Sequence, residues 1–89
     1  MTTPVLTLIG KPGCHLCDDA RAVVAAVLAD LATEHPADAI VFEEKSILDD
    51  PALHERFVEE IPVVLINGAV HNYWRIDPVR LTKALQEAQ

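Results

Sequence analysis

Cations are scarce in this chain. Seven Lys and Arg stand against fourteen Asp and Glu, for a net charge of −7 over 89 residues. An acidic surface repels phosphate backbones, and neither a basic stripe nor an aromatic platform is present to offset it, which argues against nucleic-acid binding. Long apolar runs are missing too: no stretch approaches the ~20 residues needed to cross a bilayer. The opening Met1-Thr2-Thr3-Pro4 lacks the charged and apolar regions of a secretory signal. The expectation is a soluble, cytoplasmic protein that engages no membrane. Repeats, linkers and low-complexity segments are likewise absent, so residues 1–89 are expected to form one domain, acting as a monomer. At this length roughly 60–65% of the unfolded surface is buried on folding, and a 51% hydrophobic fraction suffices for that.

Cysteine is sparse as well, and its placement is informative. Cys14 and Cys17 are the only two, with His15 and Leu16 between them. A secreted disulfide scaffold would spread its cysteines, and a bridge closing so small a loop adds little stability through chain entropy. In a reducing compartment such a pair is more often redox-active or metal-binding than structural.

The pair sits between two elements of different period. Val5-Leu6-Thr7-Leu8-Ile9 is an apolar run ending at Gly10, the pattern of a short buried strand. Leu16, Ala20, Val23, Val24, Val27, Leu28 and Leu31 then recur at helical spacing over about four turns, with Asp18 and Asp19 in the first turn, where negative charge suits the helix dipole. His35-Pro36 is a stop signal. A second strand is expected over Ala39–Glu44, parallel to the first through a right-handed crossover. Asp50-Pro51 and Asp77-Pro78 each combine a capping carboxylate with proline at the first helical position. Between these two helix starts, Ile61–Ile66 is an apolar run expected to be covered on both faces, and Asn67-Gly68 is a hairpin turn leading into a strand over Ala69–Trp74. The order is β-α-β-α-β-β-α, a three-layer α/β sandwich with a four-stranded mixed sheet and three helices. Cys14 falls beyond the carboxyl end of the first strand, where ligand sites of open α/β sheets collect.

Thiol–disulfide exchange needs one thiolate that attacks and a second thiol that resolves the mixed disulfide. A helix N-terminus favours the anion through unpaired N–H groups and the positive end of the dipole. Cys14 is therefore the expected nucleophile, and Cys17, one turn along, the resolver. Lys11 is placed to stabilise a thiolate or hold a substrate carboxylate, and protonated His15 would add to the effect; Asp18 and Asp19 oppose it. His35, His54 and His71 form no ligand spacing. Tyr73 and Trp74 are expected to pack beside the last helix, and Asp49, Asp50, Glu59 and Glu60 to be solvated caps and a charged link.

The C-x-x-C between strand one and helix one, the element order, and Ile61-Pro62 opening strand three together resemble the thioredoxin fold. The short length resembles a glutaredoxin. Thr7 to Asp18 is most similar to small bacterial glutaredoxin-like proteins with a Cys-His-Leu-Cys site. The resemblance implies a thiol–disulfide oxidoreductase with catalytic Cys14 and Cys17 and with Lys11, Ile61 and Pro62 in substrate binding. In it Pro62 is cis against the redox pair, and Ile61 offers backbone hydrogen bonds to a bound peptide. No resident cofactor or metal is expected, although some glutaredoxins bind a shared cluster at a dimer interface; the expected partners are disulfide-containing proteins or small thiols.

Glutathione as a co-substrate is brought into question by two departures. His15-Leu16 replaces the usual Pro-Tyr, and Trp74-Arg75-Ile76-Asp77-Pro78 stands where a Gly-Gly-x-Asp turn would cradle the glutathione carboxylate. Two other readings of the same residues stay open. Soft thiolates suit Zn²⁺, Cu(I) or an iron–sulfur cluster, although copper-carrier domains with this motif end in a strand rather than a helix. A non-catalytic binding module on the same fold is the other.

Overall fold

Residues along β1 (Val5–Gly10) are buried almost without interruption, which places this strand at the centre of the sheet. The computed structural model describes residues 3–34 and 40–88. In chain order the further elements are α1 (His15–Glu34), β2 (Val41–Ser46), α2 (Pro51–Phe57), β3 (Val63–Ile66), β4 (Ala69–Tyr73) and α3 (Pro78–Glu87). The sheet order is β2-β1-β3-β4. β2 runs parallel to β1, while β3 is antiparallel to β1 and to β4.

Strand alternation divides the core in two. Leu6, Leu8 and Val64 face a cluster built with Ala20, Val24, Val27 and Leu31 of α1 and with Leu81 and Leu85 of α3. Ile9 and Val63, one residue out of phase, face Ile47 and Phe57. Thus α1 and α3 cover one face and α2 the other, the expected three layers. The apolar run of the third strand is covered on both sides for this reason.

Element bounds differ from the sequence-based expectation in four places. Helix α1 spans 20 residues, about five and a half turns rather than four, because its last turns are alanine-rich and continue the helix beyond Leu31. The observed β2 extends to Ser46, since its register against β1 runs to the pair Gly10 and Ser46. Ladder pairing of β3 begins at Val63, after the proline, and β4 stops at Tyr73. The His35-Pro36 stop and the Ala39 start lie outside the described residues.

Local chemistry explains the joints. Asp50 Oδ1 accepts from the Ala52 N–H at 2.9 Å, and Asp77 Oδ1 from the N–H groups of Val79 and Arg80 at 2.9 and 3.3 Å, each with proline next in the chain. Asn67 and Gly68 both take positive φ, 51° and 83°, as a two-residue type I′ turn demands. The Asn67 side-chain oxygen accepts from the Val5 N–H at 2.9 Å, tying the hairpin to the start of β1. On β4, His71 is half-buried with Nε2 enclosed and unpartnered among the described residues. Burial, then the nearby Arg80 charge, pushes its pKa down.

Across the other edge, Arg21 of α1 clasps β2. Its Nε and Nη2 donate to the Glu44 carboxylate at 2.9 and 2.7 Å, and Nη1 donates to Asp18 at 2.8 Å. Arg21 holds the Glu44 carboxyl below the usual carboxylate range. Side-chain exposures of 44% and 39% limit the value of this pair to about 1 kcal/mol or less.

Two outcomes follow from this packing. Phe57→Ala removes the largest side chain of the α2-face core and is expected to cost about 3–5 kcal/mol, read by urea unfolding. Glu44→Gln is expected to lower stability by no more than about 1 kcal/mol at neutral pH. Because the folded carboxyl is held below its ordinary value, that contribution is complete above the ordinary carboxylate range and is lost as the pH falls through the folded pKa. Wild type and variant should therefore converge in acid, which unfolding curves across pH 7 to 3 would reveal.

Candidate functional site

The chain leaves β1 at Gly10 and reaches α1 through Lys11-Pro12-Gly13, with Gly13 at φ 74°. That left-handed turn, which glycine adopts at no steric cost, delivers Cys14 to the N-cap of α1. The Cys17 N–H donates to Cys14 Sγ at 3.2 Å, and the Asp18 N–H to the Cys14 carbonyl at 3.0 Å. The cysteine sulfur thus occupies the place usually held by a capping oxygen, where first-turn N–H groups and the helix dipole favour negative charge.

Cys14 and Cys17 are joined as a disulfide, with their Cα atoms 5.1 Å apart. Their exposure is unequal. Cys14 is half-buried at the lip, while Cys17 is only 1% exposed on the inner face of α1. Attack from outside can therefore reach the first sulfur and not the second.

Two different surfaces flank the pair. Toward β2 lies a polar cleft of about 350 Å³ lined by Lys11 and by the Asp18–Arg21–Glu44 group, with Lys45 and Asp49 beyond. Lys11 is exposed here, among carboxylates already engaged by Arg21. Toward β4 lies an open apolar cavity of about 460 Å³ lined by Leu16, Tyr73, Trp74 and Arg75. A smaller recess shares Leu16, Trp74 and Arg75 and runs inward to Val23 and Ile76.

Trp74 has a different place from the one its sequence position suggested. It is 52% exposed and Tyr73 43%, so neither is simply packed beside α3; together they form a shelf next to Leu16. The rings meet edge to face, with centroids 4.9 Å apart. Trp74 has a φ of 62°, a conformation that is unfavourable for a bulky residue. Two hydrogen bonds hold it there. Its N–H donates to the Pro62 carbonyl at 2.8 Å, and its indole Nε1–H to the Glu59 carbonyl at 3.1 Å.

The Ile61–Pro62 bond is cis. Pro62 is buried, and its carbonyl is the acceptor for Trp74. The Ile61 N–H donates to the Phe57 carbonyl at 3.1 Å, so within this structure it closes the end of α2. Through Trp74 the Ile61-Pro62 segment is linked to the shelf beside Leu16, whereas Lys11 stands on the β2 side of the cysteines. Of the five sequence-predicted residues, Cys14, Cys17 and Lys11 thus lie at the N-terminus of α1, while Ile61 and Pro62 are connected to its surroundings only through Trp74. Sequence reasoning missed the shelf, because an aromatic pair after a strand is more often core. It also took Gly10 for a strand terminator alone.

The turn before α3 bears on ligand binding. The Trp74, Val79 and Arg80 N–H groups are all engaged within the chain, and Pro78 has none. A carboxylate seeking backbone donors there would find these four positions closed. Among the described residues, no group of three or more His, Cys, Asp or Glu converges as a metal ligand set, and no helix is long and apolar enough to cross a membrane.

Comparison with known proteins agrees with this geometry. Residues 5–86 match the family model described as Glutaredoxin-like domain (DUF836). The uncharacterized protein Rv0508 of Mycobacterium tuberculosis is 32% identical over 83 residues, 91% of this chain and 81% of that protein. The uncharacterized protein Mb0520 of Mycobacterium bovis matches to the same extent. Among solved structures, protein XcR50 from X. campestris is 28% identical, with a TM-score of 0.68 over 94% of this chain and 99% of that one. Mitochondrial thioredoxin 3 from Saccharomyces cerevisiae, in its oxidized form, has a TM-score of 0.65 over 98% of this chain and 80% of its own, at 14% identity, a likeness of fold alone. With a family model spanning nearly its whole length and a C-x-x-C at the N-cap of α1, the chain belongs to the glutaredoxin-like domain family (DUF836) and is built on the thioredoxin fold.

Proposed function

We propose that the protein is a thiol–disulfide oxidoreductase that reduces disulfides of protein partners through Cys14 and Cys17. The observation that carries this reading is the asymmetry of the pair at one helix N-terminus. Cys14 is reachable and has an N–H donor at its sulfur; Cys17 is enclosed one turn away.

In the reduced enzyme the Cys14 thiolate attacks one sulfur of the partner disulfide. A new S–S bond forms to Cys14, and the partner's other sulfur leaves as a thiolate that takes up a proton. Cys17 then loses its proton and attacks Cys14 Sγ. The mixed disulfide breaks, the second partner sulfur leaves as thiol, and the Cys14–Cys17 disulfide remains. Two electrons have passed to the partner, and an external thiol donor returns them in the next cycle.

Leu16, Tyr73 and Trp74 offer the partner an apolar seat beside the reacting sulfur, and Arg75 a cationic rim. Of the Ile61-Pro62 segment, whose Ile61 N–H and Pro62 carbonyl are engaged within the chain, the Ile61 carbonyl is the backbone group left for a partner, and Lys11 supplies a cation on the β2 side. The absence of glycine from the turn before α3, with Pro78 lacking an N–H and the Trp74 N–H already engaged, favours a protein partner over glutathione as the bound species. No resident cofactor or metal enters this cycle.

Cys14→Ser is expected to abolish turnover in a disulfide-reductase assay. Cys17→Ser is expected to stall after the first step, accumulating a partner adduct that intact mass measurement detects and dithiothreitol releases. Unchanged turnover in the Cys14 variant overturns the proposal. Trp74→Ala is expected to raise KM for a protein disulfide about tenfold and to leave the rate with a small disulfide nearly unchanged, since the loss of one buried aromatic contact is typically worth about 1–2 kcal/mol.

A further inference from the structure

Gly10 is the last residue of β1, buried, and its backbone is held in place. It is in register with Ser46 of β2, and its carbonyl accepts from the Ile47 N–H at 2.9 Å. On its other side lies the inner cysteine. A Cβ placed on Gly10 would stand 2.9 Å from Cys17 Sγ and 3.2 Å from Cys17 Cβ, inside the 3.4 Å at which ordinary contact begins. Cys17 cannot simply step away, because α1 is anchored below it by Ala20 and Val24, 2% and 0% exposed.

We infer that Gly10 is a positioning residue that sets the balance between the disulfide and the dithiol, by leaving space for the Cys17 sulfur where the bridge requires it. The inference rests on the dithiol chemistry proposed above. In the disulfide, the bond to Cys14 fixes which way Cys17 Sγ points. As a free thiol, Cys17 Sγ is released from that bond and is free to move to another staggered position about Cα–Cβ, while the 3.2 Å approach to Cys17 Cβ is common to both forms. A methyl group at residue 10 therefore crowds the oxidised form more than the reduced one. The sign follows: Gly10→Ala weakens the disulfide relative to the dithiol, and the variant becomes the stronger oxidant.

Exchange with dithiothreitol reads this directly. The Cys14–Cys17 bond breaks, two thiols form on the protein, and one dithiothreitol loses two electrons and two protons as it closes to its cyclic disulfide. Purified wild type and Gly10→Ala would be equilibrated across graded ratios of reduced to oxidised dithiothreitol, quenched in acid, alkylated and weighed. The expected result is a shift of about tenfold toward the dithiol in the variant, equivalent to about 30 mV for a two-electron couple. An unchanged equilibrium, or one moved toward the disulfide, overturns the inference. Wild type that fails to interconvert reversibly overturns the dithiol reading itself, and the inference with it.

A second measurement covers a variant that folds poorly. The loss of thermal stability caused by Gly10→Ala is expected to be smaller in a Cys17→Ala background than in the oxidised wild type, because the crowded sulfur is gone. Equal losses in the two backgrounds, or a double variant that does not fold, overturn the inference.

Discussion

Close contact between the end of β1 and the first turn of α1 is the constraint on which the rest of this structure depends. The central strand delivers Gly10 against Cys17, and Gly13 turns the chain so that Cys14 caps the helix. Any displacement of α1 along the sheet would carry Cys17 away from Gly10 and open the inner face of the helix. The long apolar face of α1, running from Cys17 to Leu31 against Leu6 and Leu8, resists that displacement. The cysteine pair is thereby mounted on a packed junction of the fold. Catalytic groups held on packed elements keep their geometry better than those carried on loops alone.

Around this junction the two sides of the cysteine pair differ in character. On the β2 side, Arg21 binds both Glu44 and Asp18, so each carboxylate has a cationic partner and Lys11 stands beside a group that keeps one net negative charge. On the β4 side, apolar and aromatic surface is left open. In the proposed cycle, a patch of this kind beside the attacking sulfur lets an acidic protein recognise partners by fit and burial, with charge acting mainly at the rim. The two sides thus divide the work: one secures α1 to the sheet, the other faces outward.

The shelf depends on backbone that ordinarily would be left to glycine. Trp74 holds a positive φ because Pro62 and Glu59 supply acceptors for both of its N–H groups. Those acceptors come from the segment between α2 and β3, so the proline that opens β3 and the aromatic that follows β4 are parts of one unit. The Trp74 N–H, at the start of the turn before α3, is used in building it.

Much of this protein is legible in its sequence because the signals are local. Periodicity locates the helices, Asp50-Pro51 and Asp77-Pro78 mark two helix starts, and Asn67-Gly68 dictates the hairpin, since each rests on the stereochemistry of a few neighbouring residues. The C-x-x-C at a strand–helix junction likewise announces the sulfur chemistry. Tertiary structure alone decided the rest. The exposure of Tyr73 and Trp74 depends on how the hairpin is positioned relative to Leu16, and the Arg21 clasp joins residues 23 positions apart across α1 and β2. Above all, Gly10 ends a strand on any sequence-based reading. What it makes room for becomes visible only when Cys17, seven residues later, folds back against it, because close packing is a property of surfaces brought together and carries no mark in the order of the chain.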